Sequence, residues 1–338
     1  MMKDFIDMNV QDKSFTIYLT ERCQLNCDYC FVPKKTNDMN EQVKQKTIAF
    51  VQNTINTTEG KWKITITGGE VGLLDPVDVI SFVKDLKSKI TKPVEVCLVT
   101  NLVYKITNDH LRLFKTVDHI GLSYDGSIRL DNYQKRKLWF GNIRYLQQNG
   151  ITDITLMCLM THQLISNDPQ FFLDFIIALQ LQKCELWPVY QDSGRKYKPT
   201  NKQVNEWMYR VFIEYQKIRK IDKDFEIMTF ECQKAAFYNY NYYEYSRQCV
   251  CNDSDILVDG TVGSCSIEFL TPYGNLDHID NEKKTIWIAK EQTIDDRCKH
   301  CQHLSYCRGR CWKLSWDSTD CPVPKKIFEY LKLVEQSE

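Results

Sequence analysis

Three cysteines stand close together in the stretch Cys23-Gln24-Leu25-Asn26-Cys27-Asp28-Tyr29-Cys30. It directly follows residues 15–19, Phe-Thr-Ile-Tyr-Leu, whose β-branched and aromatic side chains predict a buried strand. Thiolates on so short a loop can bind one small inorganic cluster. With 15 cysteines in 338 residues, this spacing arises by chance only about 0.03 times. The alternative is three buried thiols, since free cysteine packs as a small hydrophobe, but the rest of the loop is polar.

Predicted strands and helices alternate along the first 195 residues. The strands cover residues 14–20, 61–67, 94–101, 118–124, 154–160 and 184–190. The helices between and after them cover about 40–56, 75–90, 108–115, 136–148, 168–181 and 201–221, with Asp75-Pro76 and Asn108 as predicted starts. Such alternation implies parallel βαβ units. We therefore expect an α/β fold, a partial (β/α)6 TIM-like barrel, with the chemistry at the carboxyl ends of its strands.

The composition excludes several classes of function. Lys and Arg number 44, and so do Asp and Glu, so no overall positive field attracts nucleic acid. No apolar run approaches the roughly 20 residues that cross a bilayer, and the N-terminus lacks the apolar stretch of a signal peptide. We expect a cytoplasmic protein without nucleic-acid or membrane partners. In a reducing compartment, an odd count of 15 cysteines favours metal or redox chemistry over disulfides.

A second group of cysteines lies near the C-terminus. It has the pattern Cys298-x2-Cys301-x5-Cys307-x3-Cys311, followed by Cys321. Cys249, Cys251 and Cys265 stand upstream, beside a hairpin predicted at Asp259-Gly260. The spacing allows either structural zinc or iron–sulfur clusters, because both metals prefer thiolate ligands. Cys97, Cys158 and Cys184 lie within predicted strands and are interpreted as core residues.

Cys23, Cys27 and Cys30, with the aromatic Tyr29 before the last, resemble the signature of the radical S-adenosylmethionine (SAM) enzymes. The resemblance implies that these cysteines bind three irons of a 4Fe–4S cluster and are the catalytic set. SAM would chelate the fourth iron and be cleaved reductively to a 5′-deoxyadenosyl radical, which abstracts hydrogen from an unactivated carbon. In such enzymes the cofactor carries the difficult chemistry, and the protein binds and orients it.

Motifs at later strand ends extend the resemblance to the SAM site. Gly68-Gly69-Glu70 resembles the family's motif for the SAM amine, with Val71 where a proline is usual. Thr100-Asn101 resembles a Thr-Asn-Gly element in which Leu102 replaces the glycine. The fourth strand ends in a Ser-x-Asp-Gly element. By resemblance the cofactor-binding residues are Tyr29, Gly68, Gly69, Glu70, Asn101, Ser123 and Arg136, the last near the ribose and after a matching Asp131.

The C-terminal cysteines resemble the SPASM extension of radical SAM enzymes, which holds two auxiliary 4Fe–4S clusters. By that resemblance Cys251, Cys265 and Cys311 bind auxiliary cluster I, with Cys249 as the candidate fourth ligand and Cys232 or an open iron as alternatives. Auxiliary cluster II would be bound by Cys298, Cys301, Cys307 and Cys321. The implied domains are a radical SAM partial barrel at 1–195, a helical linker at 196–245 and a SPASM-type domain at 246–338.

The resemblance implies an enzyme that oxidatively modifies a peptide by a C–C or thioether cross-link or by dehydrogenation. Its cofactors would be SAM and three 4Fe–4S clusters, and its electron donor a flavodoxin or ferredoxin. Because the first cluster cysteine is residue 23, a leader-binding protein would be a separate partner. Ser266 stands where anaerobic sulfatase-maturing relatives have an aspartate, which disfavours that activity. The alternatives are a small-molecule alcohol or carbohydrate dehydrogenase of the same family and a non-enzymatic zinc-ribbon binding protein.

Overall fold

The chain divides into two compact units, which are described separately. The structure, a computed structural model, describes residues 12–33, 35–190, 195–238, 253–264, 272–291, 293–307, 309, 314–317 and 319–336. Unit A contains the described residues of 12–155 and 253–288, and unit B contains those of 156–238 and 289–336. No described helix is both long enough and apolar enough to span a membrane.

Strands and helices alternate through most of the described chain. The strands are β1 Asp12–Thr20, β2 Lys61–Gly68, β3 Val94–Thr100, β4 His119–Tyr124, β5 Ile154–Leu159, β6 Lys183–Trp187, β7 Glu226–Ile227, β8 Asp253–Ile256, β9 Thr261–Gly263, β10 Pro272–Asn275 and β11 His278–Ile279. The helices are α1 Glu41–Thr57, α2 Pro76–Ser88, α3 Asn108–Phe114, α4 Tyr133–Gln148, α5 His162–Ile165, α6 Pro169–Ala178, α7 Asn201–Ile221, α8 Met228–Tyr238, α9 Asn281–Glu291, α10 Leu304–Cys307 and α11 Lys325–Glu335.

Unit A is built on a sheet whose strands follow the order β11-β10-β9-β8-β1-β2-β3-β4. β1, β2, β3 and β4 are parallel neighbours, so their carboxyl ends lie at one edge. Apolar side chains from these strands are fully buried, and Phe15 stacks on Trp62 with ring centroids 5.0 Å apart. The α/β fold with parallel strands predicted from the sequence is thus confirmed.

The predicted helix starts are partly corrected. Asp75 caps α2 with Pro76 in the first turn, as predicted. The predicted cap Asn108 is wrong, because Thr107 caps α3 in a reciprocal arrangement with the His110 side chain. The helix predicted from residue 136 begins at Tyr133, because the Asn132 side chain accepts from a backbone N–H of the first turn. The strand predicted at 184–190 ends at Trp187, and the helix predicted at 168–181 is α6, Pro169–Ala178.

Residues 253–288 add antiparallel strands to the parallel sheet of unit A. β8 pairs parallel with β1 and antiparallel with β9. The predicted turn at Asp259-Gly260 is confirmed, with Gly260 at φ 84°. Pairing of β8 with β1 places the described residues of this segment in unit A. The sequence-based domain at 246–338 stays a prediction. The segment carries no long apolar run, so its place at the edge of the sheet was not visible from periodicity.

Unit B packs helices around aromatic side chains. In α7, Thr200 and Gln203 form a capping box, and the helix has the predicted bounds. Phe212 lies edge-on to Phe230 of α8 with ring centroids 5.3 Å apart. The Asn201 side chain donates to the backbone carbonyls of Ser315 and Asp320. These bonds attach the start of α7 to the segment that carries the last cysteine of the C-terminal group.

Candidate active site

The loop that carries Cys23, Cys27 and Cys30 is closed at its base by one carboxylate. We call residues 21–38 the cysteine loop. Asp38 accepts a 2.6 Å hydrogen bond from the Thr20 hydroxyl at the end of β1, and its carboxylate also pairs with the guanidinium of Arg22. These bonds return the chain to the end of β1 and hold the loop against the carboxyl edge of the sheet.

The three thiols lie within eight residues of this loop and are partly exposed. None of them is in a disulfide. A tight turn brings the Cys30 N–H to 3.1 Å from the Cys27 carbonyl. Burial raises the pKa of Cys23 to about 11, and the nearby charges of Glu70 and Cys30 add to the increase. In the absence of a metal the folded protein therefore favours the neutral thiol at Cys23, whereas metal binding requires the thiolate.

Gly68 and Gly69 seat the end of β2 directly against the cysteine loop. A Cβ on Gly69 would lie 2.2 Å from the backbone oxygen of Arg22, and one on Gly68 would lie 2.2 Å from that of Thr20. The Gly69 N–H donates to the Thr20 carbonyl at 2.7 Å. The glycines were expected to let backbone approach a ligand. In the structure the backbone that approaches these two glycines is that of Thr20 and of Arg22 in the cysteine loop.

Glu70 connects the ends of β2 and β3 through a buried carboxylate, 1% exposed. It accepts from the Asn101 N–H at 2.6 Å, the Thr100 hydroxyl at 2.7 Å and the Gly72 N–H at 2.9 Å. Burial raises the pKa of Glu70, and these donors oppose the increase. A carboxylate has about four acceptor positions, so about one is left for a ligand.

The Asn101 side chain reaches the cysteine loop from the end of β3. Its Nδ2 lies 3.7 Å from the Cys23 sulfur. Its Oδ1 accepts from the Val103 N–H at 2.8 Å and from the Gln24 amide at 3.0 Å. The two bonds to Oδ1 orient the amide so that its N–H group faces the thiol. The predicted site residue Asn101 is thus in contact with a predicted cluster ligand.

Leu102, which stands where the resembled motif has glycine, adopts the left-handed backbone conformation, with φ 57°. Its N–H donates to the Thr100 hydroxyl, and its carbonyl accepts from the buried Asn142 amide at 2.9 Å. The side chain is 1% exposed. The left-handed conformation costs an L-residue about 1–2 kcal/mol. These contacts stabilise it, so the turn forms with leucine at this position.

A buried ion pair beyond β4 reaches the cysteine loop and was not among the predicted site residues. Asp125 is fully buried, and it accepts from the backbone N–H and from Nε of Arg129, both at 2.9 Å. The guanidinium Nη2 lies 3.5 Å from the hydroxyl of Tyr29. Burial lowers the pKa of Arg129, but the charges of Asp125 and Cys27 outweigh it and raise the value. The spacing Asp-x3-Arg was the available signal in the sequence.

Of the two remaining predicted SAM-binding residues, Ser123 lies at the sheet edge and Arg136 does not. Ser123 lies near the end of β4, half-buried, at the same sheet edge as the other strand-end residues. Arg136 is exposed on α4, where its guanidinium donates to the Leu130 carbonyl, and Asp131 pairs with Lys135. Among the described arginines of this segment, Arg129 rather than Arg136 contacts the cysteine loop.

Three of the C-terminal cysteines of unit B border one cavity. Cys298, Cys307 and Cys321 line a space of about 320 Å³. Burial raises the pKa of Cys321 to about 11, and the charges of Cys307 and Cys298 contribute to the increase. The predicted ligands Cys249, Cys251, Cys265 and Cys311 lie outside the described residues. Cys97, Cys158 and Cys184 are buried in strands, which confirms them as core residues.

The described thiols do not converge on a point. Within the described ranges, no three His, Cys, Asp or Glu side chains are arranged to bind a single metal ion. Zinc takes thiolates at about 2.3 Å and so brings their sulfurs to within about 4 Å of one another. A four-iron cluster is wider than one ion, and its thiolates stand further apart. Cys298, Cys307 and Cys321 border the cavity that such a group would occupy.

The comparisons with known proteins agree with the motifs. Residues 17–176 match the model of the Radical SAM superfamily. We call them the radical SAM region; they include the cysteine loop and the strand ends of β1–β4. A search of curated proteins finds no match.

Solved structures share the fold of the whole chain, beyond the radical SAM region. Native anSMEcpe with bound AdoMet superimposes with a TM-score of 0.78 at 17% sequence identity, covering 95% of this chain and 98% of that one. Native anSMEcpe with bound AdoMet and Kp18Cys peptide gives a TM-score of 0.77 at 16% identity, covering 96% and 98%. At this identity the likeness establishes a common fold. It extends past residue 176, into the region of the C-terminal cysteines.

Proposed function

We propose that this protein is a radical SAM enzyme whose cluster is bound by Cys23, Cys27 and Cys30. The observation that carries the proposal is the convergence of three strand ends on the cysteine loop. Glycines seat β2 against it, Asn101 contacts the Cys23 sulfur and Arg129 contacts Tyr29. A 4Fe–4S cluster bound there supplies the single electron for reductive cleavage of SAM.

The residues around the loop would bind and orient SAM. Glu70 keeps about one acceptor position free, which suits the ammonium of the SAM methionine. The carboxyl ends of β1–β4 form one edge, where Ser123 and the backbone of Gly68 and Gly69 also lie. Arg136, exposed on α4, stays a prediction for the ribose. Buried side chains beneath this edge exclude water from the reacting groups.

We further propose that the C-terminal cysteines bind two auxiliary 4Fe–4S clusters in a SPASM-type arrangement. The cavity bordered by Cys298, Cys307 and Cys321 supports this, and Cys301 completes the proposed ligand set for cluster II. A nearby cluster can accept the electron that a substrate radical loses, which makes the net reaction a two-electron oxidation.

We propose a peptide as the substrate. The fold is shared with anSMEcpe, which has been solved with bound peptides. By the family resemblance, Ser266 takes the place of an aspartate of anaerobic sulfatase-maturing enzymes. We therefore propose a different modification, a C–C or thioether cross-link or a dehydrogenation. The proposed partners are a low-potential flavodoxin or ferredoxin and a separate leader-binding protein, and the proposed location is the cytoplasm.

Anaerobic reconstitution tests the metal content and the reaction. The wild-type protein should bind about 12 irons, three clusters of four, and form 5′-deoxyadenosine on reduction with SAM. The triple variant Cys23→Ala, Cys27→Ala, Cys30→Ala should bind about 8 irons and form none. Cys97→Ala, in the core of β3, is the matched control and should keep all 12. A colourless protein with zinc and no iron would exclude the proposal.

Mass spectrometry tests the substrate class. Peptides encoded beside the gene should change mass in a SAM-dependent way, by the loss of two hydrogens for a cross-link or a dehydrogenation. Peptide masses that stay constant, together with an oxidised alcohol or carbohydrate in the same assay, would favour the small-molecule alternative. In that outcome the radical mechanism stands and only the peptide proposal fails.

A further inference from the structure

We propose that Arg129 is a positioning residue, a fixed positive charge that raises the reduction potential of the cluster on Cys23, Cys27 and Cys30. The inference rests on the proposed function, because it requires a cluster at the cysteine loop. It assigns a role to an arginine that was not among the predicted site residues.

The geometry fixes the guanidinium at the loop. Asp125 is fully buried and binds both the backbone N–H and the Nε of Arg129, so neither the chain nor the side chain can turn away. The remaining edge of the guanidinium faces Tyr29, which lies between Cys27 and Cys30 in the sequence, with Nη2 at 3.5 Å from the hydroxyl. The arginine side chain is 17% exposed, so solvent screens its charge only in part.

The charges around the loop explain why a cation is needed there. Three thiolates and the buried carboxylate of Glu70 are all negative, and each added electron increases that charge. The guanidinium of Arg129 lies 3.5 Å from the hydroxyl of Tyr29, so its positive charge is held at the part of the loop that carries Cys27 and Cys30. Asp125 lies at the Nε edge, away from Tyr29, which leaves the positive end of the pair toward the loop.

The step concerned is a one-electron reduction. A low-potential flavoprotein or dithionite loses one electron, the cluster goes from the 2+ to the 1+ state, and no proton or bond is exchanged. A neighbouring cation stabilises the reduced state more than the oxidised one, because the reduced state is more negative. An arginine suits this role because it stays charged at every relevant pH.

Potentiometric titration followed by EPR tests the inference on the full-length reconstituted protein. The signal measured is the one that changes when SAM is added, which separates this cluster from the auxiliary ones. Arg129→Gln should lower the equilibrium constant for reduction about tenfold, which is a shift of about −59 mV for one electron. Arg129→Lys keeps the charge and should restore most of the wild-type value. Arg112→Gln, an exposed arginine paired with Asp109, is the matched control and should change nothing.

Each outcome decides the question. A midpoint of Arg129→Gln equal to the wild-type value would overturn the inference, and so would an equal shift in Arg129→Lys. If Arg129→Gln binds less iron, Arg129→Met, which keeps the apolar stem, takes its place. If neither neutral variant binds the cluster while Arg129→Lys does, the charge serves assembly and the inference is wrong. A wild-type protein without any SAM-responsive signal would refute the proposed function instead.

Discussion

Replacing Gly69 with alanine tests whether the lack of a side chain at this position is what lets the end of β2 pack against the cysteine loop. The new Cβ would lie 2.2 Å from the Arg22 oxygen and 2.7 Å from the Glu21 oxygen. Separations under 3.0 Å essentially never occur for a Cβ, so the loop backbone must move by about 0.8 Å. It cannot move freely, because Gly69 and Glu70 donate to the carbonyls of Thr20 and Arg22 at 2.7 and 2.8 Å.

The structure gives the magnitude of this effect. Overpacking costs about 1–3 kcal/mol, and weakening one of the two backbone hydrogen bonds adds about 1 kcal/mol. We therefore expect unit A to lose about 3 kcal/mol of unfolding free energy. For a domain of this size that lowers the midpoint of thermal unfolding by about 6–12 °C. The displaced loop should also bind fewer irons at the first cluster.

The assay is thermal unfolding of the apo-protein, followed by iron analysis after reconstitution. The matched control is Gly141→Ala, because nothing lies within 4 Å of a Cβ at that position in α4. The control should gain up to about 1 kcal/mol from helix propensity and keep its iron. The reasoning is refuted if Gly69→Ala unfolds within 2 °C of the wild type and binds the full complement of iron.

Three further outcomes are expected. Asp38→Ala removes the bond from Thr20 that closes the cysteine loop and should lose about 1–2 kcal/mol with faster hydrogen exchange in the loop. An equal effect in the control Asp109→Ala, whose carboxylate pairs with Arg112 away from the loop, would contradict this. Leu102→Gly relieves about 1–2 kcal/mol of backbone strain but loses about 2–5 kcal/mol of packing free energy. Thermal melting should therefore show a net loss of stability, and a variant more stable than the wild type would refute this expectation. Burial raises the pKa of Cys321 from 9.0 to about 11 in the folded apo-protein, so the folded state favours the thiol. The contribution of the Cys321 thiol to the unfolding free energy is complete below pH 9 and is lost as the pH rises to 11. The melting temperatures of the wild type and of Cys321→Ala should therefore converge over that range. A constant difference between them would contradict this expectation.

The local features of the fold could be predicted from the sequence. Alternation of apolar residues at 61–67 and 94–101 gives the strands, because the side chains of a strand alternate between its faces. Asp75-Pro76 gives the start of α2, because a carboxylate and a proline suit the first turn of a helix. The spacing of Cys23, Cys27 and Cys30 gives the candidate site, because a cluster requires thiolates on a short loop.

Only the tertiary structure decided which residues at the strand ends contact one another and the cysteine loop. The carboxylate of Glu70 accepts three hydrogen bonds, two of them from Thr100 and Asn101 at the end of β3, which no spacing in the sequence reveals. Arg129 rather than Arg136 reaches the cysteine loop, because the buried carboxylate of Asp125 turns its side chain inward. Contacts of this kind join residues about 30 to 100 positions apart. They depend on which strands are neighbours, whereas periodicity and capping depend only on residues a few positions apart along the chain.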